Sequence, residues 1–84
     1  MDNPAAWNKE GNFLSKTFTF KNFLIAVEFI NNLATVAEKM NHHPDIELFS
    51  YKKVKIKLTT HEVGKITEKD IELAKQIDKL FLKS

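Results

Sequence analysis

The chain has 84 residues, with 13 basic against 11 acidic side chains, a formal charge of +2 and no cysteine. That length predicts one small domain over residues 1–84, and so small a charge, with lysines interspersed among acids, argues against nucleic acid as the default partner. The lack of cysteine excludes disulfides and thiolate metal sites, and no apolar run approaches the ~20 residues that a membrane span needs.

Met1-Asp2-Asn3-Pro4 has neither the basic start nor the apolar run of a signal peptide, so a soluble, cytoplasmic protein is expected. A domain of this size buries only about 60–65% of its unfolded surface, which makes self-association a plain route to extra stability.

Ala6 to Phe20 reads as a β-hairpin, with Lys9-Glu10-Gly11-Asn12 as the break between its arms. In the second arm Phe18 and Phe20 alternate with Thr17 and Thr19, the period of a half-buried strand, and Lys16 interrupts the inward side. From Asn22 to Asn41 the period becomes helical. Phe23, Val27, Ile30, Ala34 and Ala37 form one apolar stripe, and Ile25, Phe29, Leu33, Val36 and Met40 form a second beside it. A helix resting on a single sheet needs one stripe, so the width points to a partner subunit or to a domain that wraps the helix more fully. Asn41 with Pro44 just beyond makes a helix stop.

Ile46 and Leu48 then alternate with Glu47 and Phe49, and Val54, Ile56 and Leu58 with Lys53, Lys55 and Lys57, which predicts two strands joined around Ser50-Tyr51-Lys52. The lysines read as a solvated face or a guarded sheet edge. Thr67-Glu68-Lys69-Asp70 has the form of a capping box opening a last helix, with Ile71, Ala74, Ile77 and Phe81 on one stripe and Leu73 and Leu80 flanking it. The expected class is therefore α+β: a two-layer domain with a four-stranded antiparallel sheet and two helices on one face, in the order β-β-α-β-β-α.

All 3 histidines, His42, His43 and His61, fall between the end of the first helix and the start of the last. Imidazole gives and takes protons near neutrality, with an unperturbed pKa of about 6.5, so the grouping suggests acid–base chemistry if strand and helix ends bring the rings to one edge of the sheet. Other roles stay open on residue type alone. His42 suits a cap for free helix carbonyls, Asp70 is explained by its capping box, Glu38 by a solvated helix face, and Tyr51 by packing on the sheet. A zinc site has enough ligands in number, but adjacent histidines bite poorly and no His-x-x-x-His spacing exists. Ser50 has no glycine-flanked elbow, and Gly11 and Gly64 stand alone rather than in a phosphate loop.

Taken in register, Glu38, His42-His43-Pro44, Tyr51, Thr60-His61-Glu62 and Asp70 resemble the signature of the pterin-4a-carbinolamine dehydratase family. Some vertebrate members also serve as the dimerisation cofactor of a homeodomain transcription factor. Trp7 to Phe20 is similar to the family's opening hairpin and Val54 to Ile77 to its closing strand and helix, while the N-terminus is shorter than in members that open with an extra helix.

The resemblance implies a two-layer fold whose sheet continues across a dimer, often as a pair of dimers. It implies dehydration of a 4a-hydroxytetrahydropterin to a quinonoid dihydropterin, as in tetrahydrobiopterin recycling, with no metal or redox cofactor. His42, His43 and His61 would be catalytic and substrate-binding: His42 and His61 as the acid–base histidines, His43 as the pterin-binding and leaving-group histidine. Asp70 would stand beside His61, and Glu38 and Tyr51 would support the pocket. Two rivals are a protein-binding cofactor using the first helix around Ile25, Phe29 and Leu33, and a protein handling a different reduced pterin.

Overall fold

The computed structural model describes residues 6–83, so the reading of Met1 to Pro4 lies outside the described residues. Its elements are β1 (Asn8–Glu10), β2 (Phe13–Thr19), α1 (Phe23–Met40), β3 (Asp45–Phe49), β4 (Lys53–Leu58) and α2 (Glu68–Leu82). The strands form one antiparallel sheet in the order β1-β2-β4-β3, with α1 carrying the chain from β2 across β4 to β3. Both helices cover the same sheet face, as the alternation predicts. The hairpin break is shorter than expected, because Lys9 and Glu10 pair with Leu14 and Phe13 and leave only Gly11 and Asn12 as the turn.

Register explains the core. Leu14 stands opposite Leu58, Phe18 opposite Val54, Ile46 opposite Ile56 and Leu48 opposite Val54, so the apolar residues of β2, β3 and β4 share one face. The lysines of β4 lie on the other, beside Thr17 and Glu47 at Lys55 and beside Asp45 at Lys57. Onto the apolar face α1 lays Ala26, Phe29, Leu33 and Ala37, and α2 lays Ile71, Leu73, Ala74 and Ile77. Phe29 joins Phe18, Phe20 and Phe81 in one ring cluster, with centroids 5.3, 4.8 and 6.4 Å away.

The second predicted stripe of α1 thus belongs to the chain's own core, and Phe29 and Leu33 are closed to any partner. The first stripe is divided: Phe23 and Ala34 are exposed and Val27 half-buried, while Ile30 packs against the core and Ala37 lies within it. The domain accounts for the second stripe and leaves Phe23, Val27 and Ala34 of the first at or near its surface.

Lys16 sits on the apolar face opposite Ile56, and three groups accommodate it. Its ammonium lies 2.9 Å from Asp78 and 4.9 Å from the ring centroid of Phe18, while the Trp7 indole N–H donates to the same Asp78 carboxylate at 3.1 Å. The pair is partly exposed, so its ionic part contributes about 1 kcal/mol or less, and the buried indole's hydrogen bond a similar amount.

Candidate active site

β2 ends where β4 begins, with Thr19 opposite Lys53, so α1 starts at that end of the sheet and runs back to the other, where Asp45 stands opposite Lys57. The end of α1, the start of β3, the end of β4 and the start of α2 therefore meet at one end of the molecule. Local chemistry sets each terminus. Asn22 caps the start of α1 by accepting the Ile25 N–H at 2.9 Å. At its end Asn41 takes a left-handed conformation, φ 51°, while the Asn41 N–H donates to Glu38 C=O and the His42 N–H to Ala37 C=O, the paired bonds of a Schellman motif. That motif fixes the backbone of His42 immediately beyond the helix, and Pro44 turns the chain into β3.

α2 opens on the predicted capping box: the Thr67 hydroxyl accepts the Lys69 N–H, and Asp70 Oδ2 accepts the Thr67 N–H at 2.9 Å. Asp70 does more than cap. It is fully buried, its Oδ2 also accepts the Thr60 hydroxyl at 2.8 Å, and its Oδ1 lies 2.6 Å from His42 Nε2. Thr60 has one hydroxyl proton and gives it to Asp70, so the 2.6 Å contact between Thr60 and Thr67 uses the proton of Thr67. An ionised carboxylate only accepts. With two donors on Oδ2 at the positive end of a helix, Asp70 holds the proton of a neutral His42 on Nε2 and leaves Nδ1 as the ring's basic nitrogen.

The other two histidines lie in the junctions at this end of the molecule. His43 is exposed and contacts Glu38, one helical turn earlier and itself exposed, so these two form a surface pair. His61 follows β4 in a turn spanning 60–65, further past the strand than expected, and its ring is exposed, with no hydrogen bond among the described residues. Within that turn the Gly64 N–H donates to Thr60 C=O at 2.9 Å and the Thr60 N–H to Lys65 C=O at 3.1 Å. Among the described residues no three His, Asp or Glu side chains gather as metal ligands, and no helix is long and apolar enough to cross a membrane.

The expected placing of Asp70 needs correcting. Asp70 is bound to His42 and not to His61, because the capping box and Thr60 hold its carboxylate in a buried position, while the exposed His61 ring makes no hydrogen bond among the described residues. Tyr51 does not meet the histidines of its own chain: it lies in the β3–β4 turn, and the 6 residues of β4, about 20 Å of strand, separate that turn from His61. There Tyr51 is 61% exposed, left-handed at φ 54°, and has Lys52 across its ring. Thr60 was legible only as part of the Thr60-His61-Glu62 motif, and nothing in the sequence announced its bond to Asp70.

A buried histidine–aspartate couple and two exposed imidazoles are carried by the junctions at one end of the chain, and the class the fold defines is a two-layer, helix-on-sheet α+β domain. The family model described as pterin 4 alpha carbinolamine dehydratase matches residues 1–80, and the chain belongs to that family of hydro-lyases. A relative from Sulfurisphaera tokodaii, provisionally named pterin-4-alpha-carbinolamine dehydratase, is 50% identical over 81 residues, covering 96% of this chain and 86% of that one. One from Aquifex aeolicus with the same provisional name is 48% identical over 95% of this chain and 80% of its own. Among solved structures, a transcriptional coactivator/pterin dehydratase from Brucella melitensis superposes with a TM-score of 0.84 at 33% identity, over 90% of this chain and 82% of that one. A pterin dehydratase-like protein identified as a RuBisCO assembly factor of the alpha-carboxysome superposes with a TM-score of 0.77 at 26% identity, covering 90% of this chain and 89% of that one.

Proposed function

We propose that the protein is a 4a-hydroxytetrahydrobiopterin dehydratase that eliminates water from the pterin carbinolamine by histidine acid–base catalysis, in tetrahydrobiopterin recycling. The buried His42–Asp70 couple carries this reading, because a carboxylate at 2.6 Å from an imidazole fixes its tautomer and orientation. In the elimination the carbinolamine C–O bond breaks, a ring N–H gives up its proton, a C=N bond forms between those two atoms, and the expelled oxygen leaves as water. His42 and His61 serve as the proton-transferring pair, and His43, backed by Glu38, binds the pterin near the departing oxygen. The chemistry balances without metal or redox cofactor, and each proton transfer contributes about 10²–10⁴-fold.

The test follows the transient absorbance of the 4a-hydroxypterin produced by a coupled aromatic amino acid hydroxylase. Wild-type protein is expected to accelerate its decay, and His42→Ala or His61→Ala to lose about 10²-fold or more of that acceleration while retaining native circular dichroism. A well-folded wild type that leaves the decay unchanged would overturn the reading and favour a different reduced pterin.

A second reading, association through α1, is favoured by the exposed start of the first stripe and its neighbour: Phe23 is 51% and the adjacent Leu24 78% exposed on a helix whose opposite face is already in the core. This stripe would serve a homodimer or homotetramer, or a protein partner as the name of the Brucella relative suggests for that protein. Light scattering on the purified protein is expected to give a mass above one chain, and Phe23→Glu with Val27→Glu to reduce it. A monomer at all concentrations would leave the stripe to a different protein.

A further inference from the structure

Asn12, at the tip of the β1–β2 hairpin, is bound from two directions to the turn that carries His61. Its side-chain amide donates to Gly64 C=O at 3.1 Å, and the Thr59 hydroxyl donates to the main-chain carbonyl of Asn12 at 2.7 Å. These bonds grip the turn at its beginning and near its close, across 47 and 52 residues of sequence. His42 is held by buried partners, but the His61 ring has no hydrogen bond among the described residues, so the backbone of its turn decides where the imidazole stands.

The inner side of that turn is anchored through Thr60 to Asp70 and Thr67. The outer side has little else. Val63 is 55% exposed, and Gly64, left-handed at φ +64°, has no heavy atom within 4 Å of where a Cβ would stand, so no side chain packs over it. Hydrogen bonds at Gly64 therefore do what packing does elsewhere, and Asn12 supplies the one that comes from another element.

We propose that Asn12 is a positioning residue: through it the hairpin tip latches the 59–64 turn and holds the His61 imidazole at the sheet end it shares with His42. Its expected effect on rate rests on the dehydratase reading. A misplacement of about 1 Å, caused far from the chemistry, can cost ~10²-fold in rate, and Asn12 is exposed enough to be removed without opening the core.

The experiment compares Asn12→Ala and Asn12→Asp in the full chain. The aspartate keeps the shape of the side chain but cannot donate to Gly64 C=O. Both variants are expected to melt cooperatively close to wild type, to lose about 10–100-fold in kcat with KM little changed, and to shift and broaden the NMR signals of the His61 ring and the Gly64 amide. Thr59→Val added to Asn12→Ala removes the second bond, which the main-chain carbonyl of residue 12 still accepts in the single variant, and should shift the His61 signals further. Wild-type kcat and wild-type His61 signals in Asn12→Asp would overturn the proposal, as would a loss of activity that only tracks a loss of folded protein. Should wild type itself show no dehydratase activity, the functional reading falls, and the His61 and Gly64 signals decide the latch alone: shifted, it stands, and unchanged, it falls.

Discussion

Replacing Asp70 by asparagine is expected to abolish most catalysis while leaving a folded protein. Two donors, the Thr60 hydroxyl and the Thr67 N–H, converge on Oδ2, so the amide oxygen of the new side chain takes that place and its NH₂ faces His42. His42 Nε2 must then accept, its proton moves to Nδ1, and the basic nitrogen becomes the one buried against residue 70. A wrong tautomer imposed by an Asp→Asn change costs about 10⁴-fold in a serine-protease triad; here, with other imidazoles at the site, a loss of about 10²–10⁴-fold in kcat is expected. The nitrogen-15 shifts of His42 check the cause directly, since they distinguish the two neutral tautomers. Wild-type activity with a changed tautomer would separate the couple from the chemistry. Asp70→Ala should behave differently: it leaves the three donors around a fully buried site without an acceptor, and a loss of about 3–5 kcal/mol of stability is expected.

An equally large loss of stability is expected at Phe29. This ring is 1% exposed, lies beneath α1 at the centre of the Phe18, Phe20 and Phe81 cluster, and has no polar contact to lose. Phe29→Ala removes its contacts and leaves a cavity, for about 3–5 kcal/mol. At roughly 0.05–0.15 kcal/mol per residue, a domain of 84 residues has a total of about 4–13 kcal/mol, so the change consumes about a quarter of it or more. Thermal melting should fall by at least about 12 °C, at 4–8 °C per kcal/mol for a domain of this size. A fall of only a few degrees would mean that association or repacking supplies stability the single chain does not display. Phe29→Leu keeps most of the volume and should retain most of the melting temperature, which ties the effect to cavity formation.

Both predictions depend on the same architectural feature. α1 anchors its ring in the middle of the sheet and delivers His42 at its end, so the core residue and the catalytic candidate share one rigid element. The Schellman turn at Asn41 transmits that position to the imidazole without an intervening flexible link.

Much of this protein was legible in its sequence, because secondary structure depends on neighbours a few positions apart. The alternation from Thr17 to Phe20 and from Lys53 to Leu58, the caps at Asn41 and Thr67, and the stripes of both helices each require only a local window, and the α+β layout follows from giving every stripe cover. Even the family signature is a matter of spacing along the chain. What only the tertiary structure decided were pairings between distant residues: His42 with Asp70, 28 positions apart, Lys16 with Asp78, 62 apart, and Asn12 with Gly64, 52 apart. Strand order and register create those contacts, and a shift of a strand by one residue would exchange every one of its partners for side chains on the other face. The same register sends Tyr51 to the far end of the sheet and gives Asp70 to His42, since a carboxylate is assigned by which donors the fold brings within 3 Å, not by its place in a motif.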